Sequence, residues 1–256
     1  MEKDGHDAKH KDRVPVRLEH VSKSFGGRKV LDDVGFQVGV GEAFCLLGRS
    51  GAGKSVTLKL MIGLIKPDRG KVVIEGNEIE NMDPTGLAEV RKHMGFLFQS
   101  AALFDSISVG DNIAFPLRRH TRKSEREIQS IVREKLKEVE LENEIGKMPA
   151  ELSGGMKKRA GLARALALDP SILLVDEPSS GLDRITASEI YALLRQLKKK
   201  QKVTMVAVTH DVLGARSFAD KFAVLAGGRI AECGTAEDLT RSENPLVREL
   251  AMGSET

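Results

Sequence analysis

The sequence predicts an α/β chain built on a parallel sheet. Apolar runs of strand length alternate with stretches whose apolar residues recur at helical spacing, as expected when strands lie side by side and are joined by helices. One run, Ala43-Phe44-Cys45-Leu46-Leu47, is continuous, as in a strand buried on both faces, and passes straight into a glycine-rich loop and a further helical stretch. With 41% hydrophobic and 30% charged residues, the 256-residue chain can bury a sizeable core, which excludes wholesale disorder. Its length suits one large domain, or one domain carrying a subdomain.

Residues 1–13 are charged, lack the apolar segment of a secretory signal and read as a disordered polar tail. Residues 14–44 are extended in pattern, with alternation at 16–19 and 36–38 and a turn at Gly26-Gly27. After the glycine-rich loop, Leu58, Met61, Ile62 and Ile65 fall at helical spacing until Pro67-Asp68-Arg69-Gly70, and residues 72–79 read as a hairpin. The stretch from about 100 to 168 is mostly helical. Ser124 and Glu127 form a capping box there, and Ile128, Ile131, Val132, Leu136 and Val139 share one face. Strands follow at 172–175, 203–208 and 222–225, the last closing a hairpin through Gly227-Gly228, with a helix marked by Ile190, Leu193, Leu194 and Leu197. The expected organisation is a single domain over 14–252, with a helical insertion at about 100–168 and a tail at 253–256.

Lys and Arg number 40 against 37 Asp and Glu, a net charge of +3. This is too slim an excess for a surface that grips nucleic-acid phosphates, so no nucleic-acid partner is expected. Cys45 and Cys233 stand outside any metal-ligand spacing and cannot make a disulfide framework; Cys45 reads as a small core residue. No apolar run approaches the ~20 residues that span a bilayer. At a membrane, another subunit would have to do the spanning.

Gly48-Arg49-Ser50-Gly51-Ala52-Gly53-Lys54-Ser55 fits G-x-x-x-x-G-K-[ST], with a strand before it and a helix after it. Such a loop turns successive N–H groups toward a triphosphate and sets the oxygens at a helix N-terminus. Lys54 would reach the β- and γ-phosphates and the Ser55 hydroxyl would ligate Mg²⁺. At the carboxyl end of Ile172-Leu173-Leu174-Val175 stand Asp176 and Glu177, where open α/β sheets bind ligands. One carboxylate can serve Mg²⁺ while the other polarises an attacking water. Leu152-Ser153-Gly154-Gly155-Met156 opens a further helix. It reads either as a second phosphate-binding helix N-terminus or as a plain N-cap. Lys157-Lys158-Arg159 behind it reads as an exposed helix face, and Lys198-Lys199-Lys200 as a solvated helix end.

In this order the phosphate loop, Gln99, Leu152-Ser153-Gly154-Gly155, Ile172 to Glu177, Gly181-Leu182-Asp183 and His210 resemble an ABC-transporter ATPase, over about residues 16–248. The resemblance implies the P-loop NTPase fold of that family. Its parts are a RecA-like parallel-sheet core, an N-terminal antiparallel β subdomain and an inserted helical subdomain. It implies ATP and Mg²⁺ as ligands and a head-to-tail homodimer, in which Ser153, Gly154, Gly155 and Met156 complete the site of the other chain and Asp183 lies at the dimer contact. It also implies that Gln99 contacts Mg²⁺ beside Ser55 and Asp176, that Glu177 is the catalytic base and that His210 senses the γ-phosphate. By residue type alone, His210 at a strand end reads as structural. Phe25 occupies the family's adenine-stacking position, though a lone Phe also suits a core. Val56 stands where many relatives have Thr, leaving only its backbone N–H for the nucleotide, and Gly181 stands where Ala is common.

Leu97-Phe98-Gln99-Ser100-Ala101-Ala102-Leu103-Phe104, Asp111-Asn112-Ile113-Ala114-Phe115-Pro116-Leu117 and Met156 after the glycines are similar to the Mla-type subfamily that serves phospholipid transport. That likeness implies an integral-membrane permease, an MCE-domain substrate-binding protein and a small STAS-domain protein as partners. It implies a peripheral location on the cytoplasmic face of an inner membrane, with apolar residues around Gln99 forming a groove for the permease.

Overall fold

The computed structural model describes residues 14–253; the reading of 1–13 as a tail, and of 253–256 as a tail beyond Gly253, lies outside the described residues. The chain begins with β1 (Val16–Phe25), β2 (Arg28–Val38), β3 (Ala43–Leu47), α1 (Lys54–Met61), β4 (Arg69–Ile74), β5 (Asn77–Glu78) and α2 (Pro84–Lys92). It continues with β6 (Met94–Leu97), α3 (Val109–His120), α4 (Glu125–Glu138) and α5 (Gly154–Ala165). The last part holds β7 (Ile172–Asp176), α6 (Arg184–Gln201), β8 (Thr204–Thr209), α7 (Val212–Ala215), β9 (Lys221–Ala226), β10 (Arg229–Gly234), α8 (Ala236–Thr240) and α9 (Pro245–Met252).

Two sheets result. One is antiparallel, in the order β2-β1-β4-β5; the other is six-stranded, in the order β10-β9-β3-β8-β7-β6. In the larger sheet β6, β7, β8, β3 and β9 run parallel, and β10 pairs antiparallel with β9, so one edge is mixed. The central strands β3, β7 and β8 are buried along their whole length, which explains why they read as continuous apolar runs. Alternation along β3 divides the core. Phe44 and Leu46 face Val16, Val72 and the Leu58–Met61 side of α1, between the two sheets. Ala43, Cys45 and Leu47 face the other way, into apolar residues of α3, α4, α5 and α6. Cys45 is fully buried, as its sequence surroundings suggest.

Two expectations are corrected. The apolar spacing that reaches Ile65 suggests a longer α1, yet the helix ends at Met61. Gly63 N–H returns to Leu60 O at 3.0 Å and Leu64 N–H to Lys59 O at 2.9 Å, a Schellman closure that satisfies the last carbonyls. The Lys157-Lys158-Arg159 segment is not an exposed face: Lys158 is 4% exposed, and Arg159 is paired with Glu140 and Glu189. The reason is tertiary, because α5 packs against α3, α4, α6 and β6 and has little free circumference. Ser124 and Glu127 do form the capping box at α4, with Ile128, Val132, Leu136 and Val139 buried beneath it.

Candidate functional site

Residues 48–56, Gln99, Glu177 and His210 line one cavity of about 880 Å³. The carboxyl ends of four parallel strands, β3, β6, β7 and β8, bring them together. The phosphate loop follows β3, Asp176 and Glu177 close β7, and His210 follows β8 directly. Within the loop Gly53 has φ 106°, a conformation L side chains avoid, and a Cβ there would lie 2.8 Å from Leu31 Cδ2. Helix α1 begins at the next residue, so its first, intrahelically unpaired N–H groups adjoin the cavity.

Lys54 is 6% exposed and donates to Gly48 O at 2.8 Å and Arg49 O at 3.4 Å, while its Nζ lies 3.3 Å from Glu177 Oε1. The other Glu177 oxygen accepts from the His210 backbone N–H at 3.2 Å and lies 2.9 Å from His210 Nδ1. Glu177 therefore joins the phosphate-loop lysine to the histidine. Its backbone has φ 45°, and Pro178 follows it. A non-glycine residue in that region carries about 1–3 kcal/mol of strain, which persists only where the surroundings hold it. The holders are visible. Glu177 N–H donates to Val208 O at 2.9 Å, and Glu177 O accepts from Ser180 N–H at 3.1 Å and from Lys158 Nζ at 2.9 Å. Burial pulls the Lys158 ammonium down to about 8, against the opposing pull of Asp176 and Glu177.

Ser55 Oγ donates to Asp176 Oδ1 at 2.9 Å. Asp176 is buried, and loss of water raises its pKa above the ordinary value, with the Ser55 hydrogen bond acting the other way. Asp176, beside the Ser55 hydroxyl, and Gln99, which lines the cavity together with Ser55, carry side-chain oxygens of the kind Mg²⁺ takes, and a divalent cation would offset the desolvation of the carboxylate. These residues fit the ion. Gln99 Nε2 also donates to Ser180 Oγ at 3.0 Å, linking the β6 end to the loop after β7.

The remaining predicted residues lie elsewhere. Phe25 is 47% exposed and faces an adjoining cavity that shares Arg49, Ser50, Gly51 and Ala52 with the first. None of Ser153, Gly154, Gly155, Met156 and Asp183 lines the phosphate-loop cavity of its own chain. Ser153 caps α5, accepting from Met156 N–H at 3.3 Å, as the N-cap reading expects. Asp183 caps α6, accepting from Ile185 N–H and Thr186 N–H at 3.0 Å each. The sequence reading missed the inward turn of Lys158 to the Glu177 carbonyl, and it missed Glu249, Leu250 and Gly253, C-terminal residues that line the cavity, where Arg49 pairs with Glu249 at 2.8 Å. Lys158 had a signal, standing four residues before buried Leu162 on the inner helical face. Nothing local marks Glu249, 200 positions from Arg49 in sequence.

A family model described as ABC transporter matches residues 31–180. The probable ribonucleotide transport ATP-binding protein mkl of Mycobacterium leprae is 44% identical over 240 residues, 94% of this chain and 69% of that protein. The intermembrane phospholipid transport system ATP-binding protein MlaF of Haemophilus influenzae is 40% identical over 93% of this chain and 90% of that protein. Among solved structures, the dimeric post-hydrolysis cassette MJ0796 bound to ADP and Pi matches with TM-score 0.80 and 33% identity, over 86% of this chain and 98% of the other. Sequence likeness along nearly its whole length and the shared cassette fold agree with the site geometry: the chain belongs to the ABC transporter family.

Proposed function

We propose that the chain is the ATP-hydrolysing subunit of an ABC transporter that moves phospholipid between inner and outer membranes and so maintains outer-membrane lipid asymmetry. The observation that carries the ATPase reading is Glu177, held between Lys54 and His210 at the mouth of the phosphate loop. When ATP enters, Lys54 exchanges the Gly48 and Arg49 carbonyls for β- and γ-phosphate oxygens, and the first N–H groups of α1 receive the rest of the charge. Glu177, released from Lys54, takes the proton of the attacking water, and His210 keeps the carboxylate aimed while reading the γ-phosphate. Mg²⁺ held by Ser55, Asp176 and Gln99 would supply charge neutralisation across the phosphates. Phe25 offers its ring to the base from the adjoining cavity, and Val56 offers a backbone N–H.

On this reading the Ser153-Gly154-Gly155-Met156 segment and Asp183, which stand outside their own chain's cavity, complete the site of a second copy in a head-to-tail homodimer. Loss of the γ-phosphate then removes the contacts that join the two faces. No described helix is long and apolar enough to cross a membrane, so transport needs a permease. A groove floored by Phe96, Phe98, Phe104 and Phe115 suits one of its cytoplasmic segments, with Phe104 43% and Phe115 47% exposed. The other partners on this reading are an MCE-domain substrate-binding protein and a small STAS-domain protein, with the chain peripheral on the cytoplasmic face of the inner membrane.

The phospholipid cargo is supported by MlaF, which the chain covers over 90% of its length. A different solute is the second reading, favoured by the mycobacterial relative named for ribonucleotide transport, of which the chain covers 69%. Glu177→Gln tests the catalytic reading. The variant should run as an ATP-bound dimer on size-exclusion chromatography with ATP and Mg²⁺ and lose turnover by at least about 100-fold. An active monomer would overturn the assignment.

A further inference from the structure

Lys158 is a buried lysine that the reaction scheme above does not use. It lies on α5, five residues after Ser153 caps that helix, and its Nζ donates to the backbone carbonyl of Glu177 at 2.9 Å. The helix N-terminus, by contrast, is turned outward: Ser153 and Gly154 are exposed. Over this span an α-helix rises about 7–8 Å and behaves as a stiff rod, so a shift at its start reaches Lys158 undiminished. The first turn is also pressed against α6, since a Cβ on Gly155 would lie 2.3 Å from Thr186 Cγ2.

At the far end the lysine meets Glu177, which lines the nucleotide cavity and whose left-handed backbone needs holding. Glu177 has φ 45°, and the proline after it disfavours the helical region, so its peptide rests on the bonds made to it from outside. Val208 O fixes the N–H, while Ser180 N–H and Lys158 Nζ fix the C=O. Of these, the lysine is the one carried by the helix that meets the other chain. Rotation of the Glu177 peptide would swing the carboxylate away from Lys54 and His210.

We propose that Lys158 is a positioning residue that ties the aim of Glu177 to the state of the α5 N-terminus, so that nucleotide bound by Ser153 and its glycines in one site of the dimer sets the base in the other. This rests on the reading of Glu177 as base and of the Ser153 segment as a contact to the partner's nucleotide. Burial costs the ammonium its hydration, and its bond to Glu177 O offsets part of that cost, so replacing it with an alkyl-ended side chain should leave stability near that of the wild type. A residue needed only for folding would lower stability when replaced.

The test uses the full chain purified with its membrane partners. Lys158→Met keeps most of the stem and removes the donor, and Lys158→Arg keeps a cationic donor. The methionine variant should lose kcat by about tenfold or more, hold fluorescent-ATP affinity within about twofold, and bring the Hill coefficient for ATP toward one. Its melting temperature should stay near that of the wild type, and the arginine variant should recover most of kcat. In a Glu177→Gln background, the Lys158→Met change should leave ATP-driven dimer formation intact. Full turnover in Lys158→Met, an unchanged Hill coefficient beside a lowered kcat, or a kcat loss accompanied by equal losses of ATP affinity and melting temperature would overturn the proposal. Failure of Glu177→Gln alone to trap a dimer would instead count against the base assignment.

Discussion

A Cβ built on Gly155 would lie 2.3 Å from Thr186 Cγ2, closer than side-chain carbons approach. The glycine after Ser153 and Gly154 is therefore needed for helix packing, whatever else the motif binds. Gly155→Ala should lower stability by about 1–3 kcal/mol, seen as a drop in melting temperature. Thr186→Ser removes the methyl and keeps the hydroxyl that donates to Asp183 at 2.7 Å, so the double variant should recover most of the loss. A Gly155→Ala protein as stable as the wild type would show that α5 and α6 can part without cost. The same contact explains how Asp183 can cap α6 and still stand beside the Ser153 turn: both helix starts are fixed to one another by a glycine without a side chain.

Helices α3 and α4 are joined by a charge cluster. Arg118 donates to Asp111 at 2.8 Å and to both Glu125 oxygens, at 2.6 and 3.1 Å, and the Arg118 hydrogen bonds hold the Glu125 carboxyl down to about 2 from an ordinary 4.5. A carboxyl with a depressed folded-state pKa stabilises fully above its unfolded value. That stabilisation is lost as pH falls from about 4.5 through about 2, because the unfolded chain takes the proton first. Both partners are solvent-exposed, so the contribution is modest and falls further with salt. Followed by circular dichroism at low ionic strength, acid unfolding of Arg118→Ala should show a shallower loss of stability across that pH window than the wild type. Identical slopes would remove the cluster from the account of how the helical stretch is held. Asn112 anchors the same stretch from within, exchanging bonds with Phe104 N–H at 2.7 Å and Phe104 O at 3.1 Å. It thereby holds Phe104 at the edge of the aromatic groove.

On the proposed reading a permease sits on that groove and decides the cargo, which then belongs to the assembled transporter. Affinity capture of the tagged chain from native membranes in mild detergent, followed by mass spectrometry of proteins and lipids, should recover a permease with an MCE-domain protein and enriched phospholipid. A different permease with a solute-binding protein would leave the ATPase mechanism standing and overturn the phospholipid reading. The wider shape of the chain suits such an assembly. The nucleotide cavity opens at the carboxyl ends of β3, β7 and β8, while the aromatic groove includes Phe96 on β6 and Phe115 on α3. Gln99 lines the nucleotide cavity, follows Phe98 of the groove in sequence and donates to Ser180.

The phosphate loop, the carboxylate pair after 172–175 and the capping box at Ser124 were legible because each is a local device. A strand buried on both faces must be continuously apolar, a phosphate cradle must have glycines at fixed offsets, and a cap must stand three residues from its partner. The sequence by itself thus determined the α/β class and the ATP-hydrolase chemistry, and pointed to the residues proposed to carry it. Other features depend on contacts between distant segments. Lys158 looked solvated because three adjacent cations resemble a wet helix face; only the packing of α5 turns it inward to the Glu177 carbonyl. The left-handed Glu177 backbone, the Arg49–Glu249 pair and the meeting of Lys54, Glu177 and His210 required strands far apart in sequence to end side by side. Short-range geometry is written in residue order, whereas burial and electrostatic environment are set by whatever the fold brings near, and tertiary structure alone decided those.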